Sequence, residues 1–401
     1  MEEDWKEYKA RNFCSSVTDG THDSPKPKEE GHYLITSKHL KDNQIDFSSA
    51  NRISEEDYLK VIARSAVEQF DILFSMIGTI GNVVQVKCKD VDFAVKNMGI
   101  FKMGGQEQRS TWLYYWLKSN YASEYINQRL SGSTQSYLTL ESLRDFPILY
   151  PGDVTVGKIV SILKSLDDKI EVNRRINDNL EQQAQALFKS WFVDFEPFKD
   201  GEFVESEMGV IPKGWRVGAL SEIANITMGT SPSGSSYNVT GEGDVFYQGR
   251  AEFGFRFPKR NMYTTEARRF AEIDSVLLSV RAPVGDINVA EERCCIGRGL
   301  ASVQSKDGNN SFMLYLMQYL RPVFDRFNGE GTVFGCINKK ALEDLPVIIP
   351  DKETMGGFDD VCNKMDGQIK TLDQESRRLA QLRDTLLPRL MSGELKVEAG
   401  F

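Results

Sequence analysis

The pattern in this sequence that comes nearest to a catalytic motif is GDVTVGKI, at residues 152–159. It nearly fits GxxxxGK[ST], in which backbone amides of a glycine-rich loop bind phosphate and the final hydroxyl holds Mg²⁺. Ile159 occupies the place of that hydroxyl, and the matching stretch of the second half, DKETMGGF (351–358), has no lysine at the equivalent position. The segment therefore argues against a nucleotide site, although an ATP-using enzyme stays open as one alternative.

Other candidate reactive groups are weaker still. FNGEG (327–331) matches the FxGxG of many S-adenosylmethionine-binding methyltransferases, but its glycines follow a predicted helix instead of a strand, which favours a turn. His22, His32 and His39 lie within eighteen residues of one another, without cysteine neighbours at zinc-like spacing. The sequence therefore predicts no metal site and no catalytic centre.

Two loop-like stretches carry the residue types that bind nucleic acids. Residues 18–46 and 228–261 are rich in Ser, Thr, Asn, Gln, Gly, Lys and Arg, with Tyr and Phe interleaved. Lys and Arg contact phosphates, and Arg, Gln and Asn can also bind base edges. The net charge of −9 is a mild objection, because binding depends on the local field of one face. An ordinary solvated loop surface is the alternative interpretation.

An internal repeat frames these loops. SGSTQSYLTLESLRDFPILYP (131–151) aligns without gaps on EGTVFGCINKKALEDLPVIIP (330–350) at an offset of 199 residues. LFSMIGTIGNVVQV (73–86) also resembles LLSVRAPVGDINVA (277–290), but at a different offset, which indicates middle loops of unequal length. Each half is therefore predicted to be a mixed α/β or α+β domain of about 150 residues, followed by a long helix.

The two predicted helices carry matching apolar seams. Apolar positions step 4, 3, 4, 3 over about four heptads, which is the a/d pattern of a coiled coil, and Asn173 and Asn177 interrupt the first seam. The seam residues are Ile159, Leu163, Leu166, Ile170, Asn173, Leu180 and Leu187 in the first helix, and Phe358, Met365, Ile369, Leu372, Leu379 and Leu386 in the second. We expect the two helices to pair as an antiparallel coiled coil with a pseudo-two-fold axis. The alternative is that each helix packs back on its own domain.

The length of 401 residues allows two or three domains. The predicted limits are 1–151 for the first domain, 152–196 for the first helix with a linker at 197–209, 210–350 for the second domain, and 351–401 for the second helix. The acidic N-terminus is not a secretory signal, and no apolar run approaches the roughly 18–20 residues of a membrane span. Six scattered cysteines without a CxxC indicate a reducing cytosol.

The chain resembles the specificity subunits of type I restriction–modification systems. The resemblance covers essentially the whole length and rests on the paired segments above, on GHYLITSKHLKDNQID (31–46), on LFKSWFVDFEP (187–197) and on LRDTLLPRLMSGEL (382–395). It implies two target-recognition domains that each read one half of a split double-stranded DNA site, spaced by two conserved helices.

The resemblance also implies partners. Two methyltransferase subunits would modify adenine N6 with S-adenosylmethionine, and motor–nuclease subunits would use ATP and Mg²⁺, so this chain would bind no cofactor itself. Its place would be the cytoplasm of a prokaryote. A non-DNA scaffold whose coiled helices recruit partner proteins remains the main alternative.

The candidate DNA contacts follow from loop position and residue type. They are Lys26, Lys38, His39 and Gln135 for the first half-site, and Gln248, Arg250, Arg256, Lys259 and Arg260 for the second. Because two unlike domains are fused in one chain, the site need not be a palindrome. A rigid helical spacer of about 45 Å could set two half-sites roughly one DNA turn apart.

Overall fold

Two long helices and two compact units organise the chain. The computed structural model describes residues 5–41, 43–132, 136–281, 283–328 and 335–397. One unit comprises Met1–Glu171 with Ser376–Phe401, and the other comprises Val172–Glu375. The helices Asp153–Phe192 and Lys352–Met391 are each 40 residues long, so each contributes residues to both units.

The first half of the chain consists of short strands and helices that lead into the first long helix. Its strands are β1 (Lys6–Lys9), β2 (Ser16–Asp19), β3 (His32–Ile35), β4 (Leu40–Lys41), β5 (Gln44–Ile45), β6 (Asn51–Ile53), β7 (Ile72–Ser75), β8 (Val83–Gln85), β9 (Phe93–Val95), β10 (Met98–Lys102) and β11 (Pro147–Tyr150). Its helices are α1 (Ala10–Phe13), α2 (Glu55–Ser65), α3 (Glu107–Leu117), α4 (Asn120–Arg129), α5 (Leu140–Arg144) and α6 (Asp153–Phe192), with a 3₁₀ turn at Ser37–His39.

The second half follows the same plan. Its strands are β12 (Phe203–Ser206), β13 (Gly209–Pro212), β14 (Arg216–Ala219), β15 (Ala224–Met228), β16 (Tyr237–Asn238), β17 (Asp244–Tyr247), β18 (Tyr263–Thr264), β19 (Phe270–Ala271), β20 (Val276–Val280), β21 (Val284–Val289), β22 (Cys294–Ile296), β23 (Leu300–Ser305) and β24 (Pro346–Ile349). Its helices are α7 (Leu220–Ile223), α8 (Asn310–Tyr319), α9 (Arg321–Asp325), α10 (Lys339–Glu343) and α11 (Lys352–Met391). Short 3₁₀ turns lie at Glu196–Phe198, Gly234–Ser236 and Arg250–Glu252.

The same antiparallel sheet recurs in each unit. The first unit has the strand order β2-β10-β7-β8, and the second has β15-β23-β20-β21. In each, a further antiparallel pair joins the start of the domain to the strand before the long helix: β1 with β11, and β14 with β24. Each unit also has a mixed sheet, the three-stranded β6-β3-β9 in the first and the five-stranded β16-β18-β17-β22-β19 in the second. Two copies of a mixed α/β domain, as the sequence predicts, are therefore present.

Equivalent side chains stabilise equivalent turns in the two copies. Ser75 accepts a hydrogen bond from the backbone N–H of Asn82, and Ser279 does the same for Asp286. In both turns the residue before the donor is a glycine with positive φ, at 93° and 104°, a conformation that residues with a Cβ rarely adopt. The repeated sequence pattern thus corresponds to a repeated backbone path.

In the second unit, α6 and α11 run antiparallel and in contact. The side-chain amide of Asn173 donates to the carboxylate of Glu375 over 2.7 Å, and that of Asn177 donates to the carbonyl of Ile369 over 3.4 Å. Asn173 also donates to the carbonyl of Leu372 over 3.5 Å, so moving four residues along α6 corresponds to moving back three residues, about one turn, along α11. Buried asparagines in such a seam favour one register over others.

In the first unit the other ends of the same helices also pair. Leu163 of α6 lies in one apolar cluster with Leu387 and Leu390 of α11. Asp167 accepts a hydrogen bond from Arg383 at 2.6 Å and one from the Tyr115 hydroxyl at 2.8 Å, so the pair is joined to the first domain. The seam residues predicted from the sequence are all buried or partly buried. The antiparallel pairing is confirmed, and the alternative that each helix packs only on its own domain is wrong.

The charged cluster of the first unit should contribute measurably to stability. Arg383 and Asp167 have side-chain exposures of only 13% and 18%. Arg383→Ala would leave Asp167 without its cation, and we expect a loss of about 2 kcal/mol or more in the free energy of unfolding, measured by urea denaturation. Arg389→Ala is the matched control, because Arg389 of the same helix forms an exposed pair with Glu394, which should contribute less than about 1 kcal/mol. Equal losses in both variants would contradict the prediction.

Lys118 gives a second prediction, on pH. Its amine donates to the side chain of Asn43 at 2.9 Å and to the Tyr114 hydroxyl at 3.1 Å. Burial, together with the charge of Arg383, lowers the pKa of Lys118 to about 8. Below pH 8 the amine is charged in the folded and unfolded chains alike, so the folded state bears the full cost of burying the charge.

Between pH 8 and the ordinary lysine value of 10.5, the folded chain releases this proton before the unfolded chain does. Stability relative to Lys118→Met should therefore rise with pH, by up to about 1.4 kcal/mol per pH unit. Urea unfolding of both proteins at pH 7 and pH 9.5 measures this, and Lys89→Met controls for removal of an exposed lysine. A difference between wild type and Lys118→Met that stays constant over this range would refute the assignment.

Candidate nucleic-acid interface

The first candidate loop, residues 18–46, presents two of its predicted contacts and buries a third. Lys26 and Lys38 are exposed. His39 is buried, and its Nδ1 accepts a hydrogen bond from the backbone N–H of Thr36 at 2.8 Å. Burial, helped by the charge of Lys38, lowers the pKa of His39. We therefore remove His39 from the candidate contacts, because it stabilises the 3₁₀ turn that presents Lys38. Gln135 lies outside the described residues.

The other two histidines are held by carboxylates. His32 hydrogen-bonds to Glu55 and Asp92 and stacks on the ring of Tyr58 at 3.8 Å. The hydrogen bond with Glu55 is the main cause that raises the pKa of His32. His22 pairs with Asp19 at 3.0 Å. Within the residues that the structure describes, no group of three or more His, Cys, Asp or Glu side chains is suited to a metal ion.

Within the second candidate loop, the segment 250–260 presents cations at both of its ends. Gln248, Arg250, Lys259 and Arg260 are exposed. Arg250 forms a 2.6 Å ion pair with Asp286, and its side chain is 50% exposed. Arg260 likewise pairs with Glu292 at 2.6 Å. Ion pairs of this kind at the surface stabilise a fold by about 1 kcal/mol or less, so a phosphate can replace the carboxylate at small cost.

Arg256 lies between these cations but points inward. Its side chain is 3% exposed, with Nη1 at 2.8 Å from Asp366 and Nη2 at 3.0 Å from Glu181 and 3.2 Å from the Tyr315 hydroxyl. Burial alone would lower the pKa of Arg256, but Tyr315 and the two carboxylates outweigh it and the net shift is upward. Because the guanidinium of Arg256 is buried and paired with two carboxylates, we remove it from the candidate contacts.

The structure adds two candidates that the sequence reasoning missed. Arg298 is exposed on a turn whose following residue, Gly299, donates a backbone hydrogen bond to Gln248. A Cβ at Gly297 or Gly299 would approach the Gln248 backbone to within 3.0 Å, so the GRG spacing is needed for this contact. Phe255 is a half-exposed aromatic in the basic loop. The glycines on both sides of Arg298 were a usable signal, but nothing in the sequence placed that turn beside Gln248.

The nucleotide-binding alternative is not compatible with the observed backbone. A phosphate-binding motif needs a loop that presents free backbone amides. Helix α6 begins at Asp153, so all but the first residue of GDVTVGKI is helical, and Ile159 is buried. Residues 329–331 of FNGEG lie outside the described part of the chain. Among helices in the described residues, none combines the length and apolar character needed to span a bilayer.

Comparison with known proteins agrees with the repeat. The family model described as "Type I restriction modification DNA specificity domain" matches residues 2–182 and again residues 212–375. The chain is 29% identical to the putative type I restriction enzyme MjaX specificity subunit of Methanocaldococcus jannaschii, over 99% of this chain and 95% of the relative. It is 24% identical to the type I restriction enzyme HindI specificity subunit of Haemophilus influenzae, over 98% and 100% of the two chains.

A solved structure shares the fold. The crystal structure of the type I restriction–modification system S subunit from M. genitalium aligns with a TM-score of 0.56 and 15% identity. The alignment covers 100% of this chain and 98% of the other. At this level of identity the likeness establishes the fold alone.

Proposed function

Because the chain belongs to the type I restriction–modification DNA specificity family, we propose that it recognises a split, asymmetric DNA sequence through its two unlike domains. The observation that carries this proposal is the doubled framework. Each of the two matched regions holds the same four-stranded sheet order, while the loops on that framework differ in length and in exposed side chains. The comparisons give no support to the alternative of a non-DNA scaffold.

The two candidate loops supply different chemistry. The first exposes Lys26 and Lys38, and the second exposes Gln248, Arg250 and Lys259 together with the nearby Arg260 and Arg298. Amine groups contact phosphates as point charges, whereas guanidinium and amide groups can also bind base edges with two hydrogen bonds. We therefore assign a different half-site to each domain, and we assign the larger share of base contacts to the second loop.

Catalysis belongs to partners in this proposal. The relatives are named as specificity subunits of restriction enzymes, and this chain is the non-catalytic, sequence-reading component of such a complex. We propose that two methyltransferase subunits use S-adenosylmethionine to modify adenine N6, and that motor–nuclease subunits use ATP and Mg²⁺. We place this complex in the prokaryotic cytoplasm, where its DNA lies.

The function is tested by DNA selection. The chain, purified with its methyltransferase subunits, should enrich random duplexes to a motif of two unlike parts separated by unspecified bases. Its affinity should fall steeply with salt, with a log–log slope of about −3 or steeper, because several phosphates are contacted. Enrichment of no motif, or a slope near zero, would refute the proposal, and a palindromic motif would refute the assignment of unlike half-sites.

Arg250 provides a residue-level prediction. Arg250→Ala should weaken binding about fivefold or more and relax base preference in one part of the motif only, because a guanidinium contact in the groove is lost. Thermal stability should hardly change, since the Arg250–Asp286 pair is a surface pair. Lys213→Ala, which removes another exposed ion-paired cation of the same unit, is the control. Unchanged affinity and preference in Arg250→Ala would remove Arg250 from the interface.

A further inference from the structure

The segment 250–260 of the second loop is exposed at its ends and buried in its middle. Arg250, Lys259 and Arg260 are exposed, whereas the three residues Arg256–Pro258 are buried. We call these three residues the anchor. A loop whose only task is to present cations to solvent gains nothing from burying an arginine in its centre, because desolvating a guanidinium is costly unless it is fully paired.

The anchor is held by backbone and side-chain contacts together. The carbonyl of Arg256 accepts from the N–H of Val289 at 2.9 Å, and the Asn288 side chain bonds both the N–H and the carbonyl of Gly254. Phe257 enters the main apolar cluster of the second unit, which also contains Phe358 of α11. The exposed cations therefore flank a segment that is held by a backbone hydrogen bond, by side-chain hydrogen bonds and by apolar packing.

The guanidinium of Arg256 joins the loop to both long helices. Glu181 belongs to α6 and Asp366 belongs to α11, and one guanidinium contacts both carboxylates. Tyr315 of α8 donates its hydroxyl proton to Asp366 at 2.7 Å, which completes the cluster. Displacing the loop would leave two carboxylates near the helix pair without their cation, so the position of the loop is coupled to the helices.

The first unit contains an equivalent cluster, but its cation comes from a helix instead of a loop. Tyr115 and Asp167 occupy the positions equivalent to Tyr315 and Asp366, but the cation there is Arg383 of α11. The residue of α6 that aligns with Arg383 at the offset of 199 is Ala184, which is buried and carries no charge. In the second unit α6 thus has no cation at the position equivalent to Arg383, and Arg256 of the loop binds Asp366 instead.

We propose that Arg256 is a positioning residue for specificity. By binding Asp366 and Glu181 it fixes the distance and orientation of Arg250, Lys259 and Arg260, and so determines which bases the second domain accepts, without contacting DNA itself. This inference rests on the proposed function, because it requires that the loop reads DNA. A purely structural ion pair would instead stabilise the fold and leave base preference untouched.

The test compares variants of the full chain purified with its methyltransferase subunits. For each variant, affinities are measured for the selected duplex and for duplexes with single base changes in either part of the motif. Arg256→Ala should reduce discrimination in one part by about fivefold or more, the amount that one lost base contact supplies. Discrimination in the other part should remain as in the wild type. Arg256→Lys keeps the charge but cannot bind both carboxylates in the same geometry. Its discrimination in the affected part of the motif should lie between those of the wild type and of Arg256→Ala.

Arg383→Ala is the matched control, because it breaks the equivalent cluster of the first unit, whose cation comes from α11 and not from a candidate DNA-binding loop. It should lower stability without changing base preference in the part that Arg256 affects. If Arg256→Ala does not fold, Asp366→Asn and Glu181→Gln weaken the same contacts with little change of shape, and should reduce discrimination in the same part.

The outcomes separate the two levels of the proposal. A wild-type complex that selects no motif refutes the proposed function. A wild type with a two-part motif, and Arg256 variants that lose stability but keep wild-type discrimination, refutes the positioning role alone. Loss of discrimination equally in both parts of the motif also refutes it, because the anchor belongs to one recognition loop.

Discussion

The antiparallel contact between α6 and α11 is the constraint on which the rest of this structure depends. Each unit contains a segment of both helices, and the first unit combines two separate stretches of chain, Met1–Glu171 and Ser376–Phe401. The core of the first unit includes Leu387 and Leu390, which follow Leu163 by more than two hundred residues. The C-terminal part of the chain therefore completes the core of the first unit, and the helices are structural parts of the units as well as connectors.

If the two halves differed in nothing beyond their matching helices and sheets, both domains would have the same specificity. The two domains differ at the cluster in which an arginine binds an aspartate of the helix pair. A tyrosine–aspartate pair recurs in both units, but Arg383 neutralises it in the first and Arg256 in the second. In both units, therefore, the partly buried aspartate of the helix pair is bound by an arginine. The arginine comes from α11 in the first unit and from the loop in the second. The loop can supply this cation only if its backbone holds one conformation. The helix pair, which is alike in both units, therefore limits the conformations open to a loop that differs between them.

The repeat, the mixed domains and the helix pair could be predicted from the sequence. They depend on apolar periodicity and on residues that match between the two halves, such as Ser75 and Ser279. The sequence was insufficient for the direction of individual side chains. Within 250–260 composition alone made Arg256 equivalent to Arg250, since both are arginines in a polar, aromatic loop. Only the approach of Glu181 and Asp366, distant in sequence, decides that one is buried. His39 is buried for a different reason, because a local turn bonds it to Thr36, and composition does not reveal such a turn.

The distribution of ion pairs also resolves the apparent conflict between a net charge of −9 and a DNA-binding role. Arg250 and Arg260 each have a carboxylate partner at 2.6 Å. Such surface pairs are weak, so phosphate oxygens can replace the carboxylates, and the released acids remain solvated. The pairs of Arg256 are buried, where breaking them leaves uncompensated charge, so the same exchange is unfavourable. Burial, and not the number of basic residues, therefore determines which cations of this loop could exchange a carboxylate for a phosphate at small cost.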